Sequence, residues 1–78
     1  MKLKHLGPHQ TQLTFENGSQ VFYSYETPVA GQLSNGRYFK TSTKWSATTS
    51  RHINKWLEGV DAMELIQEDI DNLINQCA

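Results

Sequence analysis

Two Asn-Gly pairs, Asn17-Gly18 and Asn35-Gly36, constrain the fold of this chain more than any other feature. Each sits between runs of strand character: Thr11 to Glu16 and Ser19 to Tyr25 flank the first, Val29 to Ser34 and Arg37 to Thr41 the second. Asn-Gly suits the tight type I′ hairpin turn, whose central residues both need a positive φ. The pattern therefore predicts two tandem β-hairpins forming a four-stranded antiparallel sheet over about residues 11–42. With tight loops, Leu13 would lie opposite Phe22 and Phe15 opposite Gln20 on one face, leaving Val21, Tyr23 and Tyr25 on the other. Pro28 cannot donate to a ladder and holds Thr27 extended, so it is expected to break the chain between the hairpins.

From Ser46 the period turns helical. Ile53, Trp56, Leu57 and Val60 recur at i, i+3, i+4 and i+7, which predicts a helix over about 48–58, with Thr48, Thr49 or Ser50 as its cap and Gly59 at its end. A second helix over about 61–76 is predicted from Asp61 and Glu64, spaced as a capping box, and from the stripe Met63, Ile66, Ile70, Leu73 and Ile74. The expected architecture is α+β: the sheet followed by two helices packed on one face, as a single domain spanning 1–78.

A chain of 78 residues builds one modest core or borrows surface from a partner, so a homodimer through a sheet edge or an outer sheet face is among the expected assemblies. No apolar run approaches the length of a membrane span, and the first ten residues lack the apolar stretch of a leader. No membrane association is expected. The single cysteine, Cys77, excludes an internal disulfide and a cysteine-based zinc cage, and nothing around it would activate a thiolate. His5, His9 and His52 fall on separate elements without metal-ligand spacing, and no nucleophile motif or phosphate loop is present. Neither catalysis, a metal nor a cofactor is expected.

Charge is strongly polarised along the chain. All seven Lys and Arg residues lie in 1–58 beside three acids, a net +4, whereas 59–78 hold five acids and no base, a net −5. Such polarity bears on partners rather than on fold. The acidic helix, with Glu64, Glu68, Asp69 and Asp71, is one candidate partner surface, since a run of carboxylates can mimic a phosphate backbone. The segment Lys40 to Trp56 is the other. It sets hydroxyl residues among basic ones where a helix begins, and unpaired N–H groups there favour an anion. Its candidate anion- or nucleic-acid-binding residues are Lys40, Lys44, Trp45, Thr49, Ser50, Arg51 and Lys55. Trp56 belongs to the apolar stripe and is expected in the core; Trp45 is expected to staple the helix entry onto the sheet.

Three strings resemble one family: Phe22-x-Ser24-Tyr25-x-Thr27-Pro28-Val29-Ala30, Tyr38-x-Lys40-Thr41, and Lys44-Trp45-Ser46-x-Thr48-Thr49-Ser50-Arg51-His52-Ile53-Asn54-x-Trp56-Leu57. Over residues 2 to about 58 the chain resembles short proteins of bacteriophages and related mobile elements, to which no activity attaches. The resemblance implies a setting, the cytoplasm of a host bacterium. In that setting small proteins often bind and block host machinery, including defence nucleases and CRISPR complexes.

The expected function is accordingly a non-enzymatic binding protein that docks on a bacterial host protein, through the acidic helix or a sheet face bearing Tyr23 and Tyr25, and modulates or inhibits it. The alternatives are a nucleic-acid-binding accessory protein using the basic, hydroxyl-rich helix start, and a structural virion or assembly component. Against nucleic acid stands the acidic overall balance, with a pI near 6.2.

Overall fold

The computed structural model describes residues 2–77, and it is α+β with a six-stranded mixed sheet and two helices. The side chain of Cys77, set aside above as a nucleophile, lies outside the described residues. The strands run in spatial order β1 (Lys2–Gly7), β2 (Gln10–Thr14), β3 (Gln20–Ser24), β4 (Thr27–Gln32), β5 (Tyr38–Thr41) and β6 (Met63–Leu65). Helix α1 (Ala47–Leu57) connects β5 to β6, and α2 (Gln67–Cys77) follows β6. Pairing is antiparallel from β1 to β5 and parallel between β5 and β6. Among the described residues no helix is long and apolar enough to cross a membrane.

Both Asn-Gly pairs make hairpins, but the loops are one residue longer than expected. Gly18 N–H donates to Phe15 O (3.1 Å) and Phe15 N–H to Ser19 O (2.8 Å), which leaves Glu16, Asn17 and Gly18 outside the ladder. Leu33, Gly36 and Arg37 repeat this pattern around the second pair. In each loop only the glycine takes a positive φ, 90° at Gly18 and 92° at Gly36, as in a three-residue loop ending in a glycine bulge. The Asn side chains serve the turn too, accepting from Ser19 N–H (2.9 Å) and Arg37 N–H (3.0 Å). The extra residue moves the register by one. Leu13 therefore pairs with Val21, Gln12 with Phe22, and Phe15 faces Ser19 across the turn.

A third tight turn, Tyr25-Glu26, joins β3 to β4, with Ser24 and Thr27 paired at its base. Pro28 therefore does not separate two hairpins. It lies within β4 beside a bulge at Val29, where β4 runs beyond its pairing with β5, which covers only Ala30 to Gln32. The Pro28 carbonyl, left without a strand partner on that side, accepts from Gln67 Nε2 of α2 (2.7 Å).

Two strands extend the expected sheet. β1 is an edge strand whose residues 2–6 are all exposed, with Lys2 and Lys4 keeping the edge soluble. β6 takes residues assigned above to the second helix, so α2 begins at Gln67 rather than Asp61. Phe39 pairs with Met63 and Thr41 with Leu65, and Ser42 N–H donates to Leu65 O (2.8 Å). The ladder satisfies backbone groups that a longer helix would have satisfied internally, and the Asp61–Glu64 capping pair goes unused.

The helices do not share a face. On β3, Phe22 stacks on Trp56 of α1, with ring centroids 5.4 Å apart. Tyr23, the next residue, points the opposite way and lies under the influence of Asp71 of α2. A parallel β5–β6 pair demands a crossover, and α1 supplies it on one side; α2 then closes the other. On the α1 side Phe22, Val29, Ala30, Ile53 and Leu57 form the core, with Trp56 and Tyr38 packed against it. Ile70 of α2 is fully buried, and Val21, Phe39 and Phe15 are also buried.

The arrangement around Tyr23 has a pH consequence. Burial, and secondarily the Asp71 carboxylate, raise its phenol above the ordinary value of 10.0. Folding then holds a proton that the unfolded chain releases, so this contribution is intact below pH 10.0 and is lost as pH rises from there through the higher folded value. A phenolate absorbance titration should show one tyrosine ionising late, and Asp71→Asn should bring it earlier. Coincident titration of that tyrosine in both proteins would contradict the placement of α2.

Candidate functional site

Helix α1 begins at a cap that also builds a floor. Ser46 holds extended backbone (φ −116°, ψ 166°), and its Oγ accepts from Thr49 N–H at 3.1 Å. The cap is thus Ser46, and Thr49, expected as a cap or an anion ligand, is buried instead. Ser46 Oγ donates to Thr49 Oγ1 (3.3 Å), Thr49 Oγ1 shares a hydrogen bond with Ser24 Oγ (3.2 Å), and Ser24 Oγ meets His52 Nδ1 (2.9 Å). The chain of hydroxyls ties the end of β3 to the first two turns of α1. It resolves a packing problem, since buried hydroxyls left without partners would cost about 1–3 kcal/mol each. Ser24 is 2% exposed, so the Ser24–His52 pair holds two elements together and offers no open nucleophile.

Over this floor lies a cleft of about 290 Å³ whose lining includes two aromatic residues. Tyr25, from the β3–β4 turn, and Trp45, just before α1, are 50% and 49% exposed. Val29 and the Ser24 and Thr49 hydroxyls line the base, and Lys44 stands at the rim. Trp45 is therefore a wall of the cleft rather than a staple pressed onto the sheet. The Tyr25 ring is held from behind. His9, in the β1–β2 turn, stacks on it at 4.6 Å and 19°, and Tyr25 N–H donates to His9 O at 2.7 Å. Tyr25 and His9 are both left-handed, with φ of 58° and 59°, a conformation that is costly for residues with a Cβ. Two adjacent turns thus spend backbone energy to hold one half-exposed ring in place.

The expected anion-binding residues separate into groups. Lys44, Trp45 and Thr49 meet at the cleft. Lys40 and Ser50 join Lys44 along a neighbouring groove of about 230 Å³, which continues past the hydroxyls of Ser42 and Thr43. Lys40 pairs with Glu64 across β5 and β6, and both line that groove, so its charge is partly offset. Arg51 is exposed on α1, outside both concavities. Lys55 lies farther along the helix, beside Trp56, Gln10 and Gln12, where Trp56 Nε1 donates to Gln12 Oε1 (3.0 Å).

The acidic set separates as well. Glu64 is on β6 and belongs to the Lys40 groove, whereas Glu68, Asp69 and Asp71 are exposed on α2 across the sheet. Glu68 and Asp69 fall in the first turn of α2, where carboxylates complement the helix dipole, and Asp71 Oδ1 accepts from Gln67 Nε2 (3.2 Å). Apart from Glu64, the charge polarity of the sequence becomes in part a polarity of space: the α1 side carries Lys44 and Arg51, and α2 carries Glu68, Asp69 and Asp71.

Ser24, His9 and Ser46 are not among the expected site residues, and Tyr25, expected with Tyr23 on a partner-facing sheet face, lies instead in the β3–β4 turn beside the basic segment. The signal for Ser24 and Ser46 was present in the strings Ser24-Tyr25-x-Thr27-x-Val29 and Lys44-Trp45-Ser46-x-x-Thr49, every named residue of which lines the cleft. His9 had no such signal, because its role depends on two turns meeting. No curated protein and no solved structure matches the chain. A family model does match, over residues 1–72, and it includes every element that builds the cleft: the chain belongs to a family of unknown function (DUF8033).

Proposed function

We propose that the protein is a non-enzymatic binding module that engages a bacterial macromolecule through the α1 side, with Tyr25 and Trp45 as its anchors. One observation carries this reading. Two rings, each half exposed, line a cleft whose floor is locked by four hydrogen-bonded side chains. Large rigid rings over a fixed base lose little conformational entropy on binding, which is why Trp and Tyr dominate binding hot spots. The resemblance to phage and mobile-element proteins supports the setting, a host bacterium's cytoplasm, and the role, modulation or inhibition of host machinery.

A second reading rests on α2. Glu68, Asp69 and Asp71 are exposed on a helix without a basic residue in its last turn, next to Ile66, which is 54% exposed. An apolar residue rimmed by carboxylates suits docking on a cationic surface of a host protein, such as one that handles nucleic acid.

Paired variants separate the two. Tyr25→Ala with Trp45→Ala should abolish capture of the cognate macromolecule from bacterial extract, and Glu68→Lys, Asp69→Lys and Asp71→Lys together should leave it intact. The reverse result would move the function to α2, and capture insensitive to both sets would sink both readings.

A further inference from the structure

We propose that the Tyr25–Trp45 cleft, with the groove that continues from it over Lys44, binds single-stranded nucleic acid: an unstacked base stacks on an exposed ring of the cleft and neighbouring phosphates follow Lys44 toward Lys40. The inference rests on the binding-module reading and names its ligand class.

Three features on the same side of the sheet converge on that chemistry. The first is the pair of rings, since every base has a π-face and stacks on an aromatic side chain irrespective of sequence. The second is continuity. The aromatic cleft and the Lys40 groove share Lys44, so a chain leaving the rings meets cationic and hydroxyl side chains in succession. Ser42, Thr43 and Ser50 supply neutral donors to phosphate oxygens along that path. The third is the partition of charge. The pI near 6.2 argues against nucleic acid only if the acids share the binding surface. Glu68, Asp69 and Asp71 instead lie on α2, across the sheet, while Glu64 lines the groove beside Lys40. A duplex keeps its bases stacked and shows only their edges, so a cleft walled by rings selects an unpaired strand.

The test uses the 78-residue chain and an oligothymidine strand, with a duplex of equal length and thymidine monophosphate as comparators. The strand should quench tryptophan fluorescence at low salt. Its affinity should fall as salt rises, with a log–log slope near −0.7 for each phosphate neutralised. Trp45→Ala should weaken binding by about tenfold or more, the effect of removing one stacked base. Lys44→Ala should flatten the salt slope by about one contact. The duplex and the mononucleotide should both bind more weakly than the strand. Because Trp45 is half exposed, its loss leaves the core untouched, and unchanged far-ultraviolet circular dichroism will confirm that the variant is folded. Strand binding that ignores Trp45→Ala, equal binding of the duplex, or tighter binding of the mononucleotide would overturn the inference. No strand binding at low salt would overturn it too. If the Tyr25 and Trp45 variants still abolished capture of a host protein, the binding-module reading would survive that failure.

Discussion

Gly31→Ala should lower stability by about 3 kcal/mol, at the upper end of the usual cost of overpacking a core. Gly31 is buried in β4 between Val21 on β3 and Phe39 on β5. A Cβ built there would collide with the Phe39 ring and with the backbone carbonyl of Gln20. The ring could rotate away only by leaving the buried layer in which it is 2% exposed. The carbonyl could retreat only by distorting the β3–β4 ladder. Neither adjustment is cheap, so the methyl group cannot be absorbed. A chain of 78 residues has a total stability of about 4–12 kcal/mol, and so large a loss would be visible as a much lower urea midpoint. Phe39→Leu combined with Gly31→Ala should recover part of it by freeing space above the glycine. An unchanged midpoint in Gly31→Ala would mean that Phe39 does not lie over Gly31.

What was legible in the sequence was local, and what was not depended on residues far apart. The Asn-Gly pairs announced hairpins, but two-residue and three-residue loops both favour that dipeptide. The choice fell to burial: the longer loop puts Phe15 and Val21 inside, at 5% and 4% exposure. The α1 stripe was readable because helical periodicity is local. β6 was not, because three residues, Met63 to Leu65, become a strand only on meeting β5 more than twenty positions earlier, and the same residues continue a helical stripe into α2. The face each helix covers was equally hidden. It follows from the parallel β5–β6 pair, which sends α1 across one side and leaves α2 the other.

The cleft shows the same division. The sequence offers Thr48, Thr49 and Ser50 as caps, but the helix starts earlier and Ser46 caps it. Thr49 turned inward because Ser24, twenty-five residues away, offers its hydroxyl a partner. Tyr25 became a wall because the β3–β4 turn needs a left-handed residue at that place and His9 covers the ring from behind. Charge was the exception. Its segregation was visible in the sequence, and the fold keeps it in part: Glu68, Asp69 and Asp71 lie across the sheet from Lys44 and Arg51, while Glu64 joins Lys40 in one groove.

Phe22→Ala should be at least as damaging as the change at Gly31, costing about 3–5 kcal/mol. Phe22 is fully buried at the centre of the core shared with Val29, Ala30, Ile53 and Leu57. Its ring stacks on Trp56, whose own position is completed by the edge of Tyr38 at 6.0 Å and by a hydrogen bond to Gln12. Truncation would remove the buried ring and leave Trp56 over a void too well walled to collapse. The effect should reach the cleft. Helix α1 is held to the sheet by Ile53 and Leu57 in the core, by Phe22 against Trp56 and by Ser24 with His52 and Thr49, and Phe22 and Ser24 alternate along one strand. Losing Phe22 removes the ring around which Ile53, Trp56 and Leu57 pack, so the helix is held less firmly and the spacing between Trp45 and Tyr25 loosens. Phe22→Leu, which keeps most of the volume, should cost less and preserve the cleft. The expected order of urea midpoints is wild type, Phe22→Leu, then Phe22→Ala, with binding at the cleft lost in the same order. Full binding by a folded Phe22→Ala protein would show that the cleft is set by its hydroxyl floor and not by the aromatic stack beneath α1.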